Sequence, residues 1–218
     1  MDTELLQNVE LLADLDDDEI AQVVATAETH RYLRGDVVFT EGAEPDRLCV
    51  VSSGRIAIAK RSIDGRESMV ALMEPGDVFG EMGLFDGQGR SAEARALEPS
   101  ELVEVHYAPL KQIYEGRPAL LWGVVNLLAQ RLRNTDSALA DSVFLDVTGR
   151  TAKRLLELAG EADEFALPIT QEELAGMVGA SRERVNKAIA SFVRLRWIEQ
   201  HDRRYRITNR EELERRAR

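Results

Sequence analysis

The order of hydrophobic and polar positions divides the chain into three kinds of segment. Over residues 5–30 apolar residues recur at helical spacing, whereas between about 31 and 108 short β-rich runs alternate with turns. The runs cover residues 37–39, 48–51, 56–59, 69–72 and 102–105. Helical spacing returns from about 118 to 144, and a further helical segment starts after Asp146. The pattern predicts an α+β protein in which a β domain is followed by a long helix and a separate C-terminal domain.

Glycines separate the β-rich runs at regular intervals, at positions 35, 42, 54, 65 and 76. The pair Asp64-Gly65 favours a hairpin turn, because both central positions of such turns adopt positive φ. Regular short strands with regular turns are typical of a β-sandwich, barrel or roll. A Rossmann domain is excluded, because strands and helices do not alternate in this segment.

The helix predicted over residues 118–144 carries a heptad seam. The seam positions, at alternating spacings of four and three, are Leu121, Val125, Leu128, Leu132, Thr135, Leu139 and Ser142. Such a seam favours a two-stranded coil between two copies of the chain, but an amphipathic helix packed on its own domain has the same pattern. The seam turns polar at Thr135, which costs stability unless the threonine contacts a ligand or fixes the register.

Residues 169–192 have the pattern of a helix-turn-helix. Thr170 and Glu173 form a capping box for a first helix, Gly179 supplies the tight turn, and Ser181 caps a second helix. Downstream, residues 197–207 predict a β-hairpin wing whose basic tip, with Arg203, meets phosphate. Thr170, Ser181 and Arg203 are therefore candidates for contact with DNA.

The outer face of the second helix carries side chains that can read bases. It begins with Arg182, Glu183, Asn186 and Lys187. Arginine and lysine donate to guanine, and glutamate accepts from cytosine. A carboxylate near phosphates is unfavourable unless it reads a base, so Glu183 favours specific recognition over general charge attraction.

The charge distribution supports a nucleic-acid surface at this end of the chain. The net charge is −11, with 13 basic and 27 acidic residues in positions 1–146 but 15 basic and 12 acidic residues after them. Residues 181–206 hold eight basic and three acidic residues, so positive charge is concentrated on the predicted reading helix and wing.

Several other classes of protein are excluded or disfavoured. The single cysteine, Cys49, allows no internal disulfide or iron–sulfur site, and the three separated histidines predict no metal site. The absence of a metal cluster, a nucleophile–base pair or an acid–base dyad disfavours an enzyme. With no apolar run long enough to span a membrane and no secretory signal, we expect a cytoplasmic protein that does not contact a membrane.

A second glycine-rich stretch combines groups that suit a compact nucleotide. Residues 79–92 include Gly80, Glu81, Met82, Arg90 and Ser91. Glycines let backbone amides approach an anion, Arg90 can hold a phosphate through two hydrogen bonds, Ser91 adds a donor, and Glu81 can accept from a ribose hydroxyl. Glycine-rich turns with one arginine are also common without a ligand, so these residues alone leave both interpretations open.

Four stretches together resemble the cyclic-AMP receptor protein (CRP/FNR) family of bacterial transcription regulators. They are residues 80–85, 90–92, 144–150 and 169–183, and the last of them, with residues 215–218, is similar to the actinobacterial branch. The resemblance implies a cyclic-nucleotide-binding β-roll (1–116), a dimerisation helix (117–145) and a winged helix-turn-helix (146–218). It also implies a homodimer that binds a TGTGA-type palindrome in double-stranded DNA under the control of cyclic AMP and contacts RNA polymerase.

The resemblance further implies roles for residues of the ligand site. Gly80, Glu81, Arg90 and Ser91 align with the family's phosphate-binding cassette, in which Arg90 would pair with the cyclic phosphate and Glu81 with the ribose 2′-hydroxyl. Arg131 and Thr135 align with helix residues that approach the nucleotide, and Thr135 would lie near the adenine amine. Arg182, Glu183 and Lys187 align with the base-reading trio.

Three positions depart from the family pattern. Asp136 stands where the best-known member has a serine that reaches the partner's nucleotide, and Ala71 replaces another polar pocket residue. Lys187 stands where arginine is commoner, and a lysine lacks bidentate geometry. These departures keep open an alternative: a regulator that binds DNA without a ligand and retains a vestigial pocket, or one that takes a different ligand.

Overall fold

The computed structural model describes residues 3–63 and 67–218. The chain divides into an N-terminal unit, Met1–Arg66 with Val70–Leu132, and a C-terminal unit, Glu67–Met69 with Arg133–Arg218. The hairpin turn predicted at Asp64-Gly65 lies outside the described residues.

Two four-stranded antiparallel sheets form the β-roll. Their strands are β1 (Glu28–Tyr32), β2 (Val37–Phe39), β3 (Arg47–Ser53), β4 (Ile56–Arg61), β5 (Glu67–Met73), β6 (Val78–Phe79), β7 (Glu93–Ala96) and β8 (Ser100–His106). One sheet has the order β1-β8-β3-β6 and the other β2-β7-β4-β5. All five predicted β-rich runs are confirmed. The sequence did not indicate β1 or β7, because their sequences, ETHRY and EARA, are largely polar.

Strand β3 is buried on both faces, which explains its unbroken apolar run. Leu48 and Val50 pack with helices, whereas Cys49 and Val51 pack between the two sheets. Successive side chains of a strand point to opposite faces, so one strand joins the two cores. Burial raises the pKa of the Cys49 thiol to about 12, which agrees with a structural cysteine.

The helices of the N-terminal unit cover one sheet. They are α1 (Thr3–Gln7), α2 (Asp17–Thr26), α3 (Met82–Asp86), α4 (Tyr107–Gly116) and, after a short 3₁₀ turn, the start of α5 (Leu121–Phe144). The continuous helical segment predicted over 5–30 is wrong. Asp16 and Glu19 form a reciprocal capping box, with both hydrogen bonds at 3.0 Å, which starts a new helix at Asp17. The chain is already in strand β1 by Glu28.

Helix α5 presents two different faces. Val124 and Leu127 are buried in the core of the N-terminal unit. The five leucine and valine positions of the predicted seam are 38–63% exposed in the single chain: Leu121, Val125, Leu128, Leu132 and Leu139. The first part of the helix therefore packs on the N-terminal unit through one face, and the apolar heptad seam is left uncovered.

A winged helix-turn-helix makes up the C-terminal unit, as predicted. Its elements after α5 are α6 (Val147–Ala159), β9 (Glu164–Ala166), α7 (Gln171–Val178), α8 (Arg182–Arg194), β10 (Ile198–His201), β11 (Arg204–Ile207) and α9 (Arg210–Arg216). Strands β10 and β11 form the wing, and β9 pairs with β11. Val185, Ala188, Ile189 and Phe192 are the buried residues of α8, again as predicted.

Polar groups fix the elbow between α5 and α6. The Asp146 carboxylate accepts from the Gly149 amide at 2.8 Å and from Arg216, and both interactions hold its pKa below the ordinary value. The Arg150 guanidinium donates to the carbonyls of Leu145 and Val178, so it ties the elbow to the end of α7. The stretch 144–150 therefore has a structural role in positioning the helix-turn-helix within its unit.

Asp146→Ala should lower the free energy of unfolding by about 1 kcal/mol, because it removes a helix N-cap. Since the pKa of Asp146 is lower in the folded than in the unfolded chain, its contribution is present above the unfolded pKa, about 4, and is lost as pH falls through the folded pKa. Urea unfolding at several pH values should show wild type and variant converging in acid. In Asp146→Asn, which keeps an acceptor without charge, the loss near neutral pH should be smaller; an equal loss would contradict the capping role.

Candidate ligand pocket and nucleic-acid interface

A buried arginine with no acidic partner among the described residues marks the first site. Arg90 is 7% exposed and donates to the carbonyl oxygens of Gly80 and Arg47, each at 2.6 Å, and to the Tyr107 hydroxyl at 3.1 Å. Its guanidinium carbon also lies 4.1 Å from the centre of the Phe39 ring. No carboxylate of the described residues forms an ion pair with Arg90, and its Nε is buried without a hydrogen-bond partner. A buried, uncompensated cation favours the binding of an anion.

Glu81, which directly precedes helix α3, provides a buried hydrogen-bond acceptor at the same site. The residue is fully buried, and one carboxylate oxygen accepts from Arg131 of helix α5. The other oxygen, Oε2, is buried and has no hydrogen-bond partner among the residues that the structure describes. Arg131 also donates to the Val78 carbonyl of strand β6 at 2.6 Å, so α5 is joined both to Glu81 and to the strand that precedes it. An unsatisfied buried carboxylate oxygen favours a ligand that brings a hydroxyl or amine donor.

The backbone around Arg90 leaves no room for larger residues. Gly80 has φ of +76°, and a Cβ there would lie 2.6 Å from the Arg90 guanidinium; a Cβ at Gly89 would lie 2.9 Å from the Gly42 carbonyl oxygen. The Tyr107 hydroxyl donates to the Gly80 carbonyl, and burial raises the pKa of Tyr107 to about 12. Tyr107 therefore remains a hydrogen-bond donor at neutral pH and helps to hold the loop against Arg90.

The remaining predicted ligand residues lie at the rim or further along α5. Met82 and Ser91 are exposed, and the Ser91 hydroxyl donates to the Met82 sulfur at 3.6 Å. Thr135 and Asp136 are exposed on α5, one helical turn and more beyond Arg131. The structure thus brings Gly80, Glu81, Arg90 and Arg131 together.

The second site is the start of α8. Ser181 accepts from the Arg184 amide as N-cap, and Thr170 forms the predicted capping box of α7 with Glu173. Gly179, with φ of +67°, makes the turn between α7 and α8. These caps position the first turn of α8, where Arg182 and Glu183 are exposed.

Two candidate base readers are paired with each other in the free chain. The Lys187 ammonium donates to the Glu183 carboxylate at 2.7 Å, one turn apart, and this hydrogen bond lowers the pKa of Glu183. Both side chains are about three-quarters exposed. They can exchange this pairing for base edges at little cost, because exposed ion pairs contribute little free energy.

Two further candidate DNA contacts, Asn186 and Arg203, lie in different environments from Glu183 and Lys187. Asn186 is half-buried, and its Oδ1 is buried without a partner in the described part of the chain, so this side chain is less available than the sequence alone indicates. Arg203 is exposed at the turn between β10 and β11 and donates to the Leu167 carbonyl at 3.2 Å. The neighbouring Asp202 has φ of +54°, which gives the wing its tight tip.

Comparison with known proteins identifies both parts of the chain. Residues 29–117 match the family profile of the cyclic nucleotide-binding domain, and residues 149–216 match the Crp-like helix-turn-helix domain. A CRP-like cAMP-activated global transcriptional regulator of Mycobacterium tuberculosis is 37% identical over 222 residues, covering 99% of each chain. The chain belongs to the CRP/FNR family of transcription regulators.

Solved structures of CRP/FNR proteins share the fold. FixK2 from Bradyrhizobium japonicum superposes with a TM-score of 0.79 at 22% identity, covering 87% of this chain and 96% of its own. The regulator CLP of Xanthomonas campestris, described as responsive to c-di-GMP, superposes with a TM-score of 0.75 at 26% identity, covering 88% and 99%. The chain is thus a DNA-binding transcription regulator with a cyclic nucleotide-binding domain. No helix of its described residues is long and apolar enough to cross a membrane.

Sequence reasoning missed two side chains that contact Arg90. Phe39 and Tyr107 both contact Arg90, but they lie far from it along the chain, in β2 and at the start of α4. Neither residue belongs to a local motif, so the sequence offered no signal for them. Among the described residues, no group of histidine, cysteine or acidic side chains could hold a metal ion.

Proposed function

We propose that this regulator is switched by cyclic AMP, which binds in the N-terminal unit and controls binding of a homodimer to a TGTGA-type palindrome. The buried Arg90, which has no acidic partner in the part of the chain that the structure describes, carries the proposal. Its guanidinium would hold the cyclic phosphate, and Glu81 Oε2 would accept from the ribose 2′-hydroxyl. The two atoms without a partner among the described residues are Arg90 Nε, a donor, and Glu81 Oε2, an acceptor. One donor and one acceptor match the phosphate and the hydroxyl of the nucleotide.

Arg131 extends the site onto helix α5. Its hydrogen bonds to Glu81 and Val78 join the ligand loop to the helix, so a nucleotide that engages Glu81 changes the environment of Arg131. Gly80, Met82 and Ser91 would line the phosphate, and Thr135 and Asp136 would face the base from the helix. This path is the physical basis for the proposed switch, since a ligand shifts an equilibrium only through contacts that differ between two states.

Isothermal titration of cyclic AMP, with and without a saturating operator duplex, tests the coupling. Because linkage is reciprocal, DNA should tighten nucleotide binding by the factor by which the nucleotide tightens DNA binding. Equal nucleotide affinity in both titrations would refute allosteric control. No binding in either titration would refute cyclic AMP as the ligand.

The homodimer would form through the uncovered seam of α5. Leu132→Glu should convert the dimer to monomer and reduce operator affinity at least about 100-fold, because a charge would be buried in the coil. Gln130→Glu, an exposed position off the seam, is the matched control and should leave the dimer intact. Sedimentation velocity distinguishes the two species, and a dimeric Leu132→Glu protein would exclude this interface.

Each subunit of the dimer would read one half-site with Arg182, Glu183, Asn186 and Lys187, while Thr170, Ser181 and Arg203 would contact the backbone. The exposed positions at the start of α8 and the basic wing support this assignment. We further propose that the protein acts in the cytoplasm as a regulator, not as an enzyme, and that RNA polymerase is a partner.

A regulator that binds DNA without a ligand, or responds to another nucleotide, is the second candidate. Two observations favour it: the Nη groups of Arg90 already have acceptors in the single chain. The relative CLP, in turn, is described as responsive to c-di-GMP. In the titration above, binding of cyclic di-GMP but not of cyclic AMP would select a different ligand. Tight operator binding by the nucleotide-free protein would select the ligand-independent form.

A further inference from the structure

An apolar cleft opens beside the first turn of α5. It has a volume of about 270 Å³. Its apolar walls come from α3, α4 and the start of α5: Leu84, Phe85, Tyr114, Pro118 and Leu121. The exposed side chains of Lys111 and Glu115 complete the lining. Leu121 is also the first position of the seam, so the cleft and the seam form one continuous apolar surface.

Trp122 lies directly beside this surface but does not line the cleft of its own chain. The tryptophan is 71% exposed in the N-terminal unit, an unusual environment for so large an apolar side chain. With Leu121 at heptad position d, Trp122 occupies position e. Val124 at position g is buried in its own unit, and Arg131, also at g, bonds to Glu81. The g side of α5 therefore packs on its own β-roll, and the e side points away from it.

A parallel two-stranded coil places each e position opposite the g side of the other helix, five residues earlier. Because α5 begins only at Leu121, position 122 of one copy then faces the first residue of the other helix and the 3₁₀ turn that precedes it, where Leu121 and Pro118 form one wall of the cleft. We propose that Trp122 of each subunit inserts into this cleft of the second copy. The indole ring would fill the space between the apolar walls, and Glu115 offers an acceptor for its N–H.

This inference rests on the proposed homodimer and adds to it a contact outside the seam. Leu84 and Phe85 belong to α3, and the Leu84 amide donates to the Glu81 carbonyl at 3.0 Å. A docked Trp122 thus touches the segment that follows the ligand residue Glu81 in the other subunit. Buried tryptophans in pockets are typical of residues that dominate the free energy of an interface.

Sedimentation equilibrium of variants tests the docking. Trp122→Ala should raise the dimer dissociation constant at least about 100-fold, roughly tenfold for each of the two indoles. Trp122→Phe should raise it less. Leu33→Ala, which removes an equally exposed apolar side chain (70%) elsewhere in the N-terminal unit, is the matched control and should leave it unchanged. The double variant Trp122→Ala/Leu84→Ala should dimerise no more weakly than Trp122→Ala, because Leu84 has then already lost its contact.

Fluorescence gives a second readout. In a Trp197→Phe background Trp122 is the remaining tryptophan, and its emission should shift to longer wavelength as the dimer is diluted. If the wild type is a dimer but Trp122→Ala dimerises equally well and the emission does not shift, the docking is wrong and the homodimer stands. Additive losses in the double variant would exclude this cleft as the docking site. A wild type that is monomeric at every concentration would overturn both.

Discussion

Arg90→Ala should raise the dissociation constant for cyclic AMP at least about 100-fold and abolish the effect of the nucleotide on DNA binding. Hydrogen bonds to charged groups contribute about 1.5–3 kcal/mol each, and the phosphate would lose two of them. The variant should stay folded but lose some stability, because the Arg47 carbonyl loses its hydrogen bond, whereas the Gly80 carbonyl keeps its bond from Tyr107. Titration calorimetry measures the affinity, and urea unfolding measures the stability.

Arg55→Ala is the matched control for Arg90→Ala. Arg55 is a partly buried arginine of the same unit, but its partners are the surface carboxylates of Glu74 and Glu98. Its removal should leave the nucleotide affinity unchanged. An Arg90→Ala protein that is folded and binds cyclic AMP like the wild type would show that the nucleotide binds elsewhere.

Glu183→Ala should remove the base preference at one position of each half-site. The loss of a specific acceptor reduces discrimination by about 1–3 kcal/mol, which is about 5- to 150-fold, while affinity for unrelated DNA should rise slightly because one negative charge is lost. Anisotropy titrations with the four base substitutions at that position measure the preference. Since Lys187 loses its partner in the variant, some of its contacts with DNA should also shift.

Glu211→Ala removes the same charge from an exposed site at the start of α9. The Glu211→Ala control should keep the base preference of the wild type and show only the small rise in affinity for unrelated DNA. If Glu183→Ala discriminates the four bases as the wild type does, its carboxylate does not read a base.

Local signals in the sequence predicted the DNA-binding half well. The capping box of Thr170 and Glu173, the turn at Gly179 and the cap at Ser181 each depend on residues within a few positions of one another. Strand β3 was equally easy to predict from the sequence, because burial on both faces requires an unbroken apolar run. By contrast, the apolar residues Val9 and Leu12 extended the helical pattern through a turn region, because they pack in the core without being helical.

Long-range packing limited the prediction of the ligand site. The sequence indicated Arg90 and Glu81 as a pair of polar groups, but only the fold shows that both are buried and that each has an unsatisfied atom. The hydrogen bond from Arg131 to Glu81 joins residues 50 positions apart. The seam of α5 left two interpretations open, and the structure shows why: one face of the helix packs on its own unit and the other is uncovered. The domain limits at 116 and 145 stay a prediction.

The most direct test is a fluorescence-anisotropy titration of a duplex containing a TGTGA-type palindrome, with and without cyclic AMP. Salt must be held constant, since phosphate contacts dominate the affinity, and a scrambled duplex of the same length gives the nonspecific background. We expect cyclic AMP to tighten binding to the palindrome at least about tenfold and to leave binding to the scrambled duplex unchanged. Equal affinity for the palindrome in both conditions would contradict control by cyclic AMP.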